Sequence, residues 1–446
     1  MPEGGKLSSI AKKKLQRTAT ERHVFWVSIF RLTVKWGSFM AMTCIVWISS
    51  AFSYHLGMLG EDPDWSALDS YQRTMTREEF VEALETVYLP YGFDEELITI
   101  YPGYALIRKD SHRPETSYRI DFSAWKDPSI ATSSETIRRS SPLEGVVIAI
   151  DPGHIGGAFS EMERRHFQIG SDPVVKEGDL TLIVAKKLEI RLAELGAKPV
   201  LLRTDTNPVT EKRPGDFYHE AVAIEQQFWL EANNFSTQAS PWETEWFKRR
   251  VEERMEMLFY RVSEIQARAR LINESIRPDL TIAVHFNVAP WKESTRQVLP
   301  EVNHMHILVH GTYMPAELAL DDVRFHLFRK LLSRNHEVEI PLSSSVANTL
   351  LARTGLRPFT YAGKNASNQG GNQAVWARNL LANRLYDGPV VFLEAYCTNS
   401  VSIYNRVQIG DYEGLREIEG EMRLSLFNEY VEGVVEGLVD YYRRQP

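Results

Sequence analysis

Cysteine is nearly absent: the 446 residues hold two, Cys44 and Cys397. Set so far apart, and with Cys44 inside an uncharged apolar stretch, they are not expected to pair. Any exported core must therefore stand without disulfides, which a large core allows. A net positive charge is missing beyond the N-terminus. The net charge is −8, residues 1–35 hold eight Lys/Arg against two Asp/Glu, and the rest of the chain is left at −14. An acidic remainder argues against nucleic acid as a partner. Internal repeats are absent too, so no solenoid or array is expected. With 43% hydrophobic and 25% charged residues, the composition is that of a globular chain able to bury a sizeable core.

Formal charge is also missing from Trp36 to Gly60, where Phe39 to Ile48 is the most apolar part. At about 1.5 Å per residue such a stretch crosses a bilayer core of about 30 Å. Lys12, Lys13, Lys14, Arg17, Arg22, Arg31 and Lys35 all precede it, which keeps the N-terminus cytoplasmic and exports the remainder. A cleaved signal peptide is the alternative, with Ser49-Ser50-Ala51 as the cleavage site. The long basic lead favours an uncleaved single-pass anchor in the inner membrane, with the folded part on the periplasmic or extracellular side.

The chain divides by composition into a basic tail (1–35), an anchor (36–60), a small α+β unit (61–125), a Ser/Thr/Pro-rich linker (126–142) and a main domain (143–446). In the small unit, Thr76-Arg-Glu-Glu79 reads as a capping box opening a helix to about Tyr88, and strands flank the Pro102-Gly103 turn. The main domain begins with an apolar strand, Val146 to Ile150. It continues with a helix from Glu177 to Gly196 and a strand at Val200 to Leu202, a βαβ pattern that predicts a twisted, mainly parallel sheet flanked by helices. Long charged and aromatic helical segments within about 205–263 exceed any ordinary α/β loop and read as an insertion: a lid, an arm, a regulator or a plain hairpin on the flank. Helices are expected at Asp321 to Asn335, Ser343 to Arg353 and Glu417 to Arg444. Strands are expected at Leu280 to His285, Met305 to Val309 and Pro389 to Tyr396.

Four stretches carry the chemistry: Asp151-Pro-Gly-His154, Glu177, Thr281 to Asn287 with His285, and Val390 to Glu394. His154, His285 and Glu394 each stand at or just past the end of an apolar, β-branched run of the kind that makes buried strands. The carboxyl ends of parallel strands share one crevice, so residues more than a hundred positions apart can meet there. Two imidazoles and the Glu177 carboxylate suit a zinc ion with one place open for water, leaving Glu394 as the acid that moves protons. Each has a plainer account. A histidine at a strand end can be structural, Glu177 can simply favour a helix start, and Glu394 after an apolar run needs some partner wherever it lies. His304, His306 and His310 share one face by period two, which fits a second metal or a hydrogen-bonded strand face.

These motifs stand in the order found in the zinc-dependent N-acetylmuramoyl-L-alanine amidases of the Amidase_3 type, and from Gly145 onward the chain resembles that family. The resemblance rests on Asp-Pro-Gly-His154, Glu177 before a helix ending at Leu195-Gly-Ala with Arg203 beyond, Arg268 and Asn273 leading to Asp279 and His285-Phe-Asn287, and Glu394 followed by Asn399. It implies zinc held by His154, Glu177 and His285, a catalytic Glu394 and peptidoglycan as substrate; a protein activator or an autoinhibitory insertion is expected beside it as the regulator. The chain departs from the family pattern at Ile155, where a glycine is usual, at Gly178, where a lysine is common, at Phe286, where a small residue is usual, and at Ala395-Tyr-Cys-Thr. An inactive wall-binding protein of the same fold, or a zinc peptidase acting on the stem peptide, remains open on the sequence.

Overall fold

The computed structural model describes residues 55–125, 141–232, 242, 244–293 and 296–445. The basic tail, the candidate anchor up to residue 54 and the linker at 126–140 lie outside the described residues. Residues 55–60 do not extend that anchor. They are non-helical and tied to the folded unit, with Gly57 N donating to Asp322 Oδ1 (2.7 Å), Asp321 N to the His55 carbonyl (2.6 Å) and Gln266 Nε2 to the Leu59 carbonyl (2.7 Å). The stretch expected to span a membrane is therefore shorter at its C-terminal end than its lack of charge suggests. Among the described residues no helix is long and apolar enough to cross a membrane.

Helix α1 (Arg77–Ala83) opens on the expected capping box. Glu79 N donates to Thr76 Oγ1 (3.2 Å) and Thr76 N to Glu79 Oε2 (3.0 Å). Strands β1 (Ile98–Ile100), β2 (Tyr104–Arg108) and β3 (Ser117–Asp121) form an antiparallel sheet beside it, and β3 has no clear signal in the sequence. These elements do not close a core of their own. Phe80 stacks on Phe328 at 6.0 Å, Trp65 meets Phe325 edge-on at 5.5 Å, and both belong to the buried cluster that runs under the large sheet.

The large sheet is built from β4 (Val147–Pro152), β7 (Lys198–Leu201), β8 (Leu280–Asn287), β9 (His304–Val309), β10 (Arg357–Pro358), β11 (Ser367–Asn368), β12 (Val375–Ala377) and β13 (Val390–Cys397). Its order is β11-β12-β9-β13-β8-β4-β7, with β10 beside β9. The neighbours β7, β4, β8 and β13 run parallel, as the βαβ pattern predicts. Strand β9 instead runs antiparallel to β13, and β11 to β12, so the sheet is mixed. Direction is not encoded in an apolar run, which reads the same either way. A short hairpin, β5 (His166–Phe167) with β6 (Val175–Lys176), leads into α2 (Glu177–Glu194).

Period two divides the sheet's side chains between two cores. Ile148, Ile150, Ile282, Val284, Ile307 and Leu393 face the buried cluster shared with α2. Ala149, Ala283, Leu308 and Phe392 face a second cluster that includes Ala269, Ile272 and Tyr386. By the same parity His285, His306 and Glu394 project on the second face, at the end of the sheet where β4, β8 and β13 finish.

The insertion comprises α3 (Tyr218–Ala232) and α4 (Glu245–Met257), continued by a π-helical turn at Leu258–Ser263. Glu225 ties the pair, accepting from Arg250 Nε (3.1 Å) and Arg254 Nε (2.8 Å). Helix α5 (Glu264–Arg270) follows. Helices α6 (Asp321–Leu332), α7 (His336–Thr354), the short α8 (Leu381–Leu385), α9 (Val401–Ile409) and α10 (Leu426–Arg444) complete the fold. The terminal helix begins at Leu426, not at Glu417 as its composition suggests. Glu419 and Gly420, at φ 51° and 84°, turn the preceding segment into a hairpin of β14 (Arg416–Ile418) and β15 (Glu421–Arg423). Ser425 then caps the helix, its hydroxyl accepting from Asn428 N at 3.2 Å.

Candidate functional site

Strand β4 ends in the turn that presents His154, whose φ of 59° is unusual for a residue with a side chain. Such strain, on the order of 1–3 kcal/mol, persists only where the surroundings enforce it. Two buried arginines do so. Arg268 donates to Asp151 Oδ1 (2.7 Å), the Pro152 carbonyl (2.8 Å) and the His154 carbonyl (2.8 Å), while Arg203 donates to the Pro152, Gly153 and Gly178 carbonyls (3.1, 3.2 and 2.8 Å). Tyr386 completes the hold on Asp151 through its hydroxyl at 2.6 Å. Gly153 is required by space, because a Cβ there would lie 2.2 Å from the His285 ring.

His154, Glu177 and His285 offer donor atoms that all lie within 4.8 Å of one another, the one such group of three among the described residues. His154 Nε2 is 3.3 Å and His285 Nδ1 3.4 Å from Glu177 Oε1. Ligands of one tetrahedral metal ion with bonds of about 2.0–2.1 Å stand roughly 3.3 Å apart, so the two His–Glu separations are of the size a shared ion would set. Electrostatics fit as well. Burial works against a charged His154, but Glu177 and Glu163 outweigh it and raise its pKa to about 9. Burial pushes Glu177 up, yet the two histidines hold it well below the usual carboxylate range. His285 is lowered, mainly by burial. A positive charge is wanted among these donors.

Two residues of this site carry no signal in the sequence. Glu163 lies 3.5 Å from His154 Nδ1, the ring nitrogen opposite the candidate ligand atom, and accepts from Ile155 N (2.9 Å) and Gly156 N (3.1 Å). A carboxylate behind a ligating imidazole fixes its tautomer and orientation. Arg165, half exposed, reaches the same donors from the open side, with Nε 3.3 Å from His154 Nε2 and 3.5 Å from Glu177 Oε2.

Glu394 is the Cα partner of His285 on one side and of His306 on the other. Burial, and then the charge of Glu177, push its pKa up to about 8, with His154, Arg165 and Arg378 pulling the other way. A carboxyl poised near neutrality beside a cluster that could hold a metal can accept a proton and return it. Asn287 steadies this strand, its Nδ2 donating to the Glu394 carbonyl at 3.0 Å. The other motif residues do structural work. Asn273 bridges the Leu385 carbonyl and Asp387 N at 2.8 Å each, Asp279 accepts from Val147 N at 2.8 Å, and Asn399 pairs with both backbone groups of Ala289.

The departures at 155, 178 and 286 have local causes. Ile155 is fully buried in the cluster of Phe217, Phe247, Val251 and Phe259, so the insertion packs on the residue after His154. Gly178 starts α2 against the next turn, where a Cβ would fall 2.4 Å from Gly156 N. Phe286 meets Tyr430 edge-on at 5.5 Å, and the Tyr430 hydroxyl donates to the His285 carbonyl at 3.1 Å. Of the histidines on and just past β9, His304 lies 3.4 Å from Cys397 Sγ, His306 2.9 Å from the Tyr361 hydroxyl and His310 2.7 Å from the Tyr313 hydroxyl. Each ring has its own partner, and they form no second metal group.

Fold and site together define an α/β chain with a two-histidine, one-carboxylate cluster that could hold a metal ion and a separate acid on the adjoining strand. No family model matches the chain, and no curated protein matches it. Solved structures similar to it include the N-acetylmuramyl-L-alanine amidase Ami1 from Mycobacterium abscessus, at 16% identity and a TM-score of 0.35, covering 67% of this chain and 99% of that one. AmiC2 of Nostoc punctiforme, an N-acetylmuramoyl-L-alanine amidase, is 14% identical with a TM-score of 0.33, covering 68% and 99%. The CwlD amidase from Clostridioides difficile, solved in complex with the GerS lipoprotein, is 13% identical with a TM-score of 0.35, covering 67% and 98%. At such values function has to be read from the chain's own residues.

Proposed function

We propose that this chain is a zinc hydrolase cleaving the amide between N-acetylmuramic acid and L-alanine in peptidoglycan. The observation that carries the reading is the spacing of His154, Glu177 and His285, whose donors stand 3.3 and 3.4 Å apart, with Glu394 on the adjoining strand. Bound there, zinc would polarise the amide carbonyl and acidify a water. Glu394 takes the proton of the attacking water on its carboxylate and delivers it to the departing amide nitrogen, a role typically contributing about 10²- to 10⁴-fold. Glu163 keeps the His154 ring turned so that Nε2 faces the metal. Arg203 and Arg268 hold the turn that presents it.

The unbroken lack of charge over residues 36–54, after a basic tail, supports an inner-membrane anchor with the folded unit outside the cytoplasm. The packing of Ile155 into the insertion supports a regulated form of the enzyme, because the arm bears directly on a ligand's neighbour. One experiment tests the reading: membranes carrying the full chain are incubated with purified sacculi, and the released fragments are weighed by mass spectrometry. Free stem peptides beginning at L-alanine are expected. Glu394→Gln should abolish their release while retaining stoichiometric zinc. Cuts within the stem would replace the amidase with a peptidase, and full activity of the variant would reject the role of Glu394.

A further inference from the structure

Past Glu394, on the side away from the metal-binding triad, stand polar groups that the chemistry above leaves unused. Tyr361, half-buried, places its hydroxyl 2.9 Å from His306 Nε2 and 3.4 Å from Arg378 Nη1. The Arg378 guanidinium also lies 5.5 Å from the Tyr361 ring centre, and the rings of Phe359 and Trp376 flank that ring at 4.9 and 5.3 Å.

The hydrogens can be assigned from their partners. Asn287 Nδ2 donates to the Glu394 carbonyl, which fixes the orientation of that amide. The same nitrogen faces His306 Nδ1 at 3.5 Å, so Nδ1 is the accepting side of the ring and Nε2 carries the hydrogen. Nε2 therefore donates to the Tyr361 oxygen. Arg378 can only donate to it. Both acceptor positions of the phenol are then filled by the protein, and among the described residues no acceptor meets its own O–H, which is left to solvent or a ligand. Arg378 is half-buried, and among the described residues no carboxylate stands within ion-pair distance of it. A cation withdrawn from water in this way favours an anionic partner.

A guanidinium fork and a hydroxyl hydrogen converging on one wall are the chemistry of a carboxylate receptor. Its position says which carboxylate. His306, the buried base of the wall, is the Cα partner of Glu394, so the receptor stands one strand beyond the proposed acid and two beyond His285. It meets the substrate beside the scissile amide, not at it. We propose that Tyr361 and Arg378 form a subsite that selects the substrate by a carboxylate of the stem peptide, with His306 as the residue that positions Tyr361. The inference rests on the amidase reading and adds the specificity of that site.

The test uses the full chain loaded with zinc and two compounds, N-acetylmuramoyl-L-alanyl-D-glutamate with its γ-carboxyl blocked as a methylamide and its α-carboxylate free, and the same compound with the α-group as a carboxamide. The wild-type protein is expected to prefer the acid by about 10- to 100-fold in kcat/KM, the range of a charge-assisted pair of hydrogen bonds. Arg378→Met should bring the ratio close to one, Arg378→Lys should restore part of it, and Tyr361→Phe should reduce it with zinc content retained. If the Met variant fails to fold, the Lys and Phe variants carry the comparison. A wild-type ratio near one, or a ratio unmoved by the substitutions, overturns the subsite. Failure of the amidase reading shows separately, as no cleavage of either compound. Calorimetry of the two free dipeptides then decides, with a tenfold preference for the acid supporting the subsite and equal binding overturning it.

Discussion

His154 ties the chemistry of single residues to a measurable pH dependence. Its imidazole, raised to about 9, holds a proton at neutral pH that a metal ion has to displace. Zinc affinity should therefore rise with pH, by up to about tenfold per unit between pH 6 and 9, and binding should release protons. Chelator competition at pH 6, 7 and 8 measures it, and a Kd that stays constant across that range would contradict the arrangement. At this scale the residues that gather at the candidate site were legible because each sits on its own local signal: a Pro-Gly turn after an apolar strand, a helix start, two strand ends. Glu163 and Arg165 were not. They lie in a loop with no periodicity, and only folding brings them against His154.

Among the elements, the insertion departs most from a plain α/β design, and its packing gives Ile155 two functions. Ile155 fills the core beneath the helical pair, and its own N–H is held by Glu163. Ile155→Ala is expected to lower stability by about 2–5 kcal/mol, the usual cost of emptying such a site. It should also weaken zinc binding by loosening the His154 turn. Thermal melts and zinc titrations on one preparation separate the two effects. Lost stability with unaltered metal affinity would show that the arm does not support the ligand loop. The sequence marks these helices by length and charge, but the residue they rest on is visible only in the packed structure. The terminal helix carries the same lesson: Glu417 to Arg423 is polar enough for a helix surface, yet two residues at positive φ make it a hairpin.

Across the whole molecule, several histidines are buried in their neutral form. Burial, and secondarily Arg334, lower His336 to about 4, and burial, then His304 and Arg378, lower His306 to about 3. Burial also holds His310 and His326 well below 6.5. Their folded pKa values lie below the unfolded value of about 6.5, so the unfolded chain binds more protons in acid. The stability they contribute is complete above pH 6.5 and is lost as pH falls from there toward 4 and 3, at up to about 1.4 kcal/mol per pH unit for each histidine. The melting midpoint should drop steadily between pH 7 and 4.5, and a level profile would show that these rings take up protons without unfolding.

The sequence by itself determined, to within about two residues, the strands and the helix that carry or lead into His154, Glu177, His285 and Glu394, because apolar runs, caps and Pro-Gly turns act over a few residues. Tertiary structure alone decided that β9 runs against its neighbour, that the small N-terminal elements share the large core, and that Tyr361 and Arg378 meet beside the proposed acid. Those outcomes depend on long-range packing, in which surfaces distant along the chain compete for the same buried area, and no local pattern records which of them meet.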